Sequence, residues 1–195
     1  MSRWIEPVTL QGTYVRIEPL AEDHLGDLLA ASADGELWKL WYTSVPDPQS
    51  MRGWIAAALE QRRDAGAMPF VIRRLADAKI VGATRYFNIA ATNRRLEIGH
   101  TFYCGSVQRT AINTETKLLL LTQAFEKLDC LGVEFRTHFM NHASRRAIER
   151  IGAKLDGVLR SHQVMPDGSL RDTCVYSVIA HEWPAVRNNL AFRLA

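Results

Sequence analysis

The order of hydrophobic patterns along the chain predicts a mixed α/β sheet in a single domain spanning 1–195. Three observations carry this. Runs that alternate every second residue are interleaved with stripes at helical spacing. In the middle, three strand-like runs follow one another with short turns between them: "MPFVIRRL", "KIVGATRYFNI" and "RLEIGHTFY". After them a helix leads into a further strand, "VEFRTHF", and such a strand–helix–strand unit is read as a right-handed parallel crossover. The sheet is therefore expected to be mostly antiparallel, with one central parallel unit and flanking helices. A chain of 195 residues with 47% hydrophobic and 23% charged content suits one globular domain and excludes disordered or fibrous classes.

The elements follow in order. In "TYVRIEPL", Tyr14, Arg16 and Glu18 alternate with Val15 and Ile17, which makes a strand. "AEDHLGDLLAASA" sets Leu25, Leu28 and Leu29 on one helical face. "DPQSMRGWIAAALEQRRDAGA" opens with Asp47 as N-cap and Pro48 at the first helical position, and Gly66 is expected to stop it. "ADAK" and "AATNRR" join the three central strands. The segment "SVQRTAINTETKLLLLTQAFE" is a polar loop opening an amphipathic helix that runs to about Leu128. "NHASRRAIERIG" is a short helix with Asn141 as N-cap and Gly152 as stop. "AKLDGVLRSHQV" and "LRDTCVYSVIA" form a hairpin around "MPDG", and "EWPAVRNNLAFRLA" is a terminal helix.

Composition narrows the function classes. A net charge of +3 is too weak to argue for nucleic acid but suits a polyanionic small molecule. No stretch approaches the ~20 apolar residues of a membrane span. The N-terminal "MSRWIEPVTLQGTYV" has no apolar signal core, so a cytoplasmic location is expected. Cys104, Cys130 and Cys174 match no zinc spacing and read as reduced thiols.

Four groups of residues are candidates for chemistry. A helix N-terminus offers unpaired N–H groups and partial positive charge, and Arg109, Thr110, Asn113 and Thr114 add side-chain donors, so 108–114 reads either as a phosphate cradle or as an ordinary cap. Asn141 and Ser144 begin a second helix, where capping by Asn141 is expected whatever the function. Glu97, His100 and His138 are candidate proton acceptors. By simple alternation His100 shares a face with Phe102 and opposes Glu97, unless a bulge intervenes. Cys104 reads as a small apolar residue rather than a nucleophile. "HFMNH" pairs His138 with His142 across a strand end, which is no metal-binding helix, so no metal is expected. Trp38, Trp41, Tyr42 and Trp54 make an aromatic-rich early region that is expected to pack the core.

The chain resembles the GNAT superfamily of N-acetyltransferases, and within it the branch similar to the RimJ/RimL ribosomal-protein acetyltransferases. The resemblance rests on "LQGTYVRIEPLAEDHLGDL", on "KIVGATRYFNI" followed by "RLEIGHTFY" with Gly82 and Ile98-Gly99, and on "NHASRRAIERIGAKLDGVLR". It implies the acyl-CoA N-acyltransferase fold, with "RLEIGHTFY" and "VEFRTHF" splayed as fourth and fifth strands and a bulge in the fourth. It implies acetyl-CoA as co-substrate and no metal. The motif Q/R-x-x-G-x-G/A falls on Gln108, Arg109, Thr110, Ala111, Ile112 and Asn113, with Ala111 and Asn113 where small residues usually stand. Together with Thr114, Phe102, Tyr103, Asn141 and Ser144 these are the implied cofactor-binding residues. The resemblance implies Ser144 as acid toward the departing thiolate and leaves Glu97 and His100 as catalytic candidates, with Trp38 and Tyr42 near the acceptor. The implied reaction is direct acetyl transfer to a primary amine, either a protein N-terminus or a small molecule. No nucleic acid or membrane partner is implied, and a homodimer is compatible. A coenzyme-A-binding regulatory module without turnover is the alternative.

Overall fold

A computed structural model describes residues 4–195; the first three residues of the N-terminal stretch read above lie outside them. A single eight-stranded sheet runs through the molecule in the order β1-β2-β3-β4-β5-β6-β8-β7. Its strands are β1 (Leu10–Gln11), β2 (Val15–Pro19), β3 (Ala67–Arg74), β4 (Ile80–Ala90), β5 (Arg95–Tyr103), β6 (Gly132–His138), β7 (Lys154–Val164) and β8 (Leu170–Ile179). The helices are α1 (Leu25–Ala33), α2 (Met51–Arg63), α3 (Ala111–Thr122), α4 (His142–Ile151) and α5 (Trp183–Phe192). The mixed, mostly antiparallel sheet expected from the sequence is present, and β5–β6 is the parallel pair. That pair is joined through α3, because parallel neighbours need a long crossover. The two-residue β1 is too short to leave a periodic signal, and it displaces the strand count by one.

Helices α1 and α2 cover one face of the sheet at β3 and β4, while α3 lies over β1 and β2 and packs against α5. Between the layers, Tyr86 is fully buried, meets Phe70 edge-on at 5.5 Å and donates its hydroxyl hydrogen to the Leu120 carbonyl at 2.6 Å. Leu120, Leu121 and Ala124 are equally buried, so the apolar half of "NTETKLLLLTQAF" anchors α3.

Both ends of α4 follow the capping rules, the start of α2 is shifted from the expected Pro48 to Met51, and the expected stop of α2 is the exception. Asn141 Oδ1 accepts the Ser144 N–H at 3.0 Å, and Gly152 ends α4 at φ 110°. Asp47 accepts the Ser50 N–H at 2.8 Å on its carboxylate and the Met51 N–H at 3.0 Å on its carbonyl, so the bonding that starts α2 begins there although the regular helix begins at Met51. The exception is Gly66. The left-handed residue that stops α2 is Ala65, at φ 57°, while the Gly66 N–H reaches back to the Gln61 carbonyl at 2.9 Å.

Glu115 ties α3 to the first hairpin. Its buried carboxylate accepts the N–H groups of Thr13, Tyr14 and Val15, each at 2.7 Å. A Cβ at Gly12 would overlap that carboxyl group, so the turn reaches it only without a side chain there. Glu115→Ala would strand three donors at once and is expected to lower the unfolding free energy by about 3 kcal/mol or more, measured by urea denaturation.

Candidate active site

β5 and β6 pair only from Arg95 to Glu97 against Gly132 to Glu134. Beyond that point they diverge, and a cavity of about 630 Å³ opens between them. Residues of both strands line it, from Ile98 to Tyr103 and from Phe135 to His138. The edge of β5 facing β6 thus presents main-chain groups without ladder partners.

The bulge implied by the family resemblance is present. Arg85 pairs with Gly99 and Ala83 with Phe102, so β5 carries one extra residue, and His100 adopts φ 48°. The extra residue corrects simple alternation. Phe87, paired with Glu97, lays its ring 4.8 Å from His100, and a Cβ on Gly99 would come within 2.6 Å of that ring. Glu97, His100 and Phe102 therefore share the face covered by α2, where Trp54 meets Phe102 at 6.2 Å.

The charges on this face are poorly solvated. Glu97 is 3% exposed; burial pushes its carboxyl up to about 7, against a 2.8 Å hydrogen bond from Asn88 Nδ2 and the charge of Arg136. Arg136 Nε lies 3.4 Å from Glu97 Oε2 but is not aligned for a hydrogen bond; its Nη2 donates to Glu134 at 3.0 Å. Burial, then the charge of Arg85, pushes the His100 imidazole down to about 4, leaving it neutral near pH 7. Among the described residues Arg85 has no carboxylate partner: it donates to Gln61 Oε1 at 2.8 Å and stacks over Trp54 at 5.0 Å.

The other wall comes from α3 and α4. Gln108, Arg109 and Asn113 line the cavity at the start of α3. Thr110 is the N-cap, its Oγ1 accepting the Ile112 N–H at 3.3 Å and donating to the Val107 carbonyl at 2.7 Å. The remaining first-turn N–H groups have no acceptor within the helix. The side chains of Ile112 and Thr114 are buried and do not line the cavity, which corrects the expected side-chain donor at Thr114 and leaves Ile112 its main-chain N–H. Thr110 and Ala111 also lie outside the lining and are likewise confined to main-chain or capping parts. The loop turns at Arg109, with φ 63°, and Ala111 and Asn113 sit in helical backbone, where glycine is not required. Ser144 and Asn141 face the cavity from α4, with Arg146 and Arg150 on the same helix.

Tyr42 lines the cavity but Trp38 does not, contrary to its expected place near the acceptor; the 37–46 segment aims Leu40, Tyr42 and Val45 inward instead. Cys104 is buried outside the lining and its thiol is pushed up, chiefly by burial, which suits an inert packing residue. Among the described residues no cluster of three or more His, Cys, Asp or Glu could hold a metal, and no helix is long and apolar enough to cross a membrane.

Sequence reasoning missed Lys117. It is 5% exposed, lines the cavity, sits 3.5 Å from Thr101 Oγ1 and 6.0 Å over Phe135, and burial pushes it down to about 7. The available signal was a lysine one turn after Asn113, leading into an apolar stripe. Arg146 and Arg150 were missed because an amphipathic helix normally turns its arginines to water.

A cleft between parted strands, with a helix N-terminus and Arg109, Arg146 and Arg150 on its α3–α4 wall and open main-chain groups on the other, fits a long ligand with amides along its length and phosphates at one end. Comparison with known proteins agrees. Residues 15–154 match the family model described as the acetyltransferase (GNAT) domain. A Bacillus subtilis (strain 168) protein, YdaF, whose name assigns it provisionally to the ribosomal N-acetyltransferases, is 30% identical over 109 residues, a match spanning 56% of this chain and 58% of that protein. A GCN5-related N-acetyltransferase from Brucella melitensis superposes with TM-score 0.87 at 30% identity, over 98% of this chain and 87% of that one. The fold also matches Mycobacterium smegmatis RimJ in complex with CoA-disulfide, with TM-score 0.81 at 20% identity, over 96% and 95% of the two chains. The parted strands, the bulge and the matched residues lead to one assignment: the chain belongs to the GNAT family of acetyltransferases.

Proposed function

We propose that the protein is an acetyl-CoA-dependent N-acetyltransferase that moves an acetyl group to a primary amine by direct transfer, acting as a single domain. The observation that carries this is Glu97: a carboxylate buried beside the point where β5 and β6 part, poised near pH 7, and sharing its face with a neutral His100. A module that only bound coenzyme A would have no use for a desolvated base there, and burying it costs stability.

Bound acetyl-CoA supplies an activated thioester. This chain's residues do the rest. The N-terminus of α3 with Arg109, Arg146 and Arg150 holds phosphate charge. Gln108, Asn113 and Asn141 offer polar contacts along the cleft, beside Phe102 and Tyr103, and the open edge of β5 at the bulge offers N–H groups to a developing oxyanion. Glu97, directly or through water, removes the ammonium proton that blocks attack, and His100 is the second acceptor beside it. Ser144 Oγ holds a proton for the departing thiolate. The ribosomal designation of the B. subtilis relative supports a protein N-terminus as acceptor, and the fold-mate bound to CoA-disulfide supports the cofactor.

Arg109→Ala should weaken coenzyme A binding by roughly tenfold, in line with losing one charge-assisted contact, and calorimetric titration would read it; unchanged affinity removes Arg109 from the cradle. Glu97→Gln should abolish the acidic limb of the kcat/KM profile near pH 7 and cost most above that pH, where the carboxylate is ionised; a retained limb assigns the base elsewhere. Stability gives a second readout. The folded pKa is raised, so the native state binds the extra proton between the ordinary value of 4.5 and about 7, and the wild type loses stability as pH rises through that window. That loss, on the order of 3 kcal/mol, should be missing in Glu97→Gln when urea midpoints are followed against pH.

A further inference from the structure

At the end of β6 the cavity holds a buried donor with no acceptor and a guanidinium with no ion-pair partner among the described residues. His138 is 5% exposed and lines the cavity. Its Nδ1 accepts the Met140 N–H at 3.0 Å, so the neutral ring carries its proton on Nε2. That Nε2 is buried without a hydrogen-bond partner, and Trp41 packs on the ring edge-on at 5.1 Å. The second donor is Arg171. It stands on β8, two residues before Thr173, the residue paired with His138. Arg171 Nε donates to Thr173 Oγ1 at 3.0 Å, and the guanidinium forms no ion pair among the described residues.

The nearby acids are otherwise engaged. Asp172 accepts from Arg160 at 2.6 Å and from the Ser161 N–H at 2.7 Å. Glu134 is held by Arg95 at 3.1 Å and Arg136 at 3.0 Å. Glu97 takes Asn88 and the flank of Arg136. Arg171 and His138 both line the cavity, and Glu97 lies just behind its wall, one residue before Ile98 of the lining; the Arg171 charge lowers the pKa of both Glu97 and His138. A buried donor left unmet costs about 1–3 kcal/mol, and an arginine fork facing a cleft is suited to a planar two-oxygen anion.

We propose that the acceptor amine carries a carboxylate, held between the Arg171 guanidinium and His138 Nε2–H while the amine nitrogen faces Glu97. This rests on the transfer reading above. The carboxylate has two possible sources: the α-carboxylate of a free amino acid, or the acidic side chain of a peptide's first residue.

Matched acceptors separate them: alanine against alaninamide, and Asp-Ala-Ala amide against Asn-Ala-Ala amide, each read as kcat/KM. The carboxylate member of at least one pair is expected to be favoured by about tenfold or more, and the favoured pair identifies the source. Arg171→Gln should bring that ratio close to one, and Arg171→Lys should restore part of it. Equal rates within both pairs, or a ratio untouched by Arg171→Gln, overturn the proposal. A turnover-free arm uses calorimetric binding of the N-acetylated acid and its amide from each pair. If no amine is acetylated but an acid binds more tightly than its amide, and only with Arg171 present, the transfer reading fails and the carboxylate site stands. No discrimination in either arm removes the site.

Discussion

The parting of β5 from β6 after three paired residues is the constraint on which the rest depends. A parallel pair held to full length would leave no cavity and would satisfy the β5 main chain completely. The bulge at His100 works with the divergence: it keeps β5 bonded to β4 while shifting which side chains face α2. Glu97 is thereby brought to the same face as His100 and Phe102, and both titratable groups are desolvated beside the opening. The perturbed acid and the open strand edge thus have one origin.

Fixing the far end of the cleft falls to a different interaction. Glu115 binds three consecutive N–H groups at the β1–β2 turn, so the first turn of α3 is pinned to a hairpin 100 to 102 residues earlier in the chain. The apolar stripe through Leu120 and Leu121 sets how the helix lies on the sheet, and Glu115 sets where its N-terminus sits. Position matters there because the partial charge of a helix end falls off within a turn.

Most of the fold was legible because it rests on periodic burial, which sequence displays directly. β3, β4 and β5 lie where their alternating runs predict, and Asn141 and Gly152 bound α4 through local bonds. What was not legible depends on long-range geometry. Alternation near Glu97 does not show the extra residue that turns His100 toward it; only the family resemblance pointed to a bulge in that strand. Lys117 reads as an ordinary helical lysine until Thr101 and Phe135 are known to enclose it. Trp38 and Tyr42 are equivalent aromatics in the sequence; only the path of the 37–46 segment sends one into the cavity and not the other. Ala65 took the stop expected at Gly66 because the helix end prescribes a backbone conformation, and alanine can bear its cost of roughly 1 kcal/mol when the flanking bonds are good.

The same exchange occurs in the loop before α3, where Arg109 rather than a glycine takes the left-handed turn. A glycine-rich cradle is pliable and must be ordered when its ligand arrives, which subtracts from affinity. A loop whose bend is built from arginine, threonine and alanine has fewer conformations to lose, because its ordering is already complete in the folded chain. Its strain is carried at all times, with or without a ligand, and in return the pocket is preorganised: association costs little conformational entropy, and a ligand of slightly different shape meets a wall that does not adjust to it.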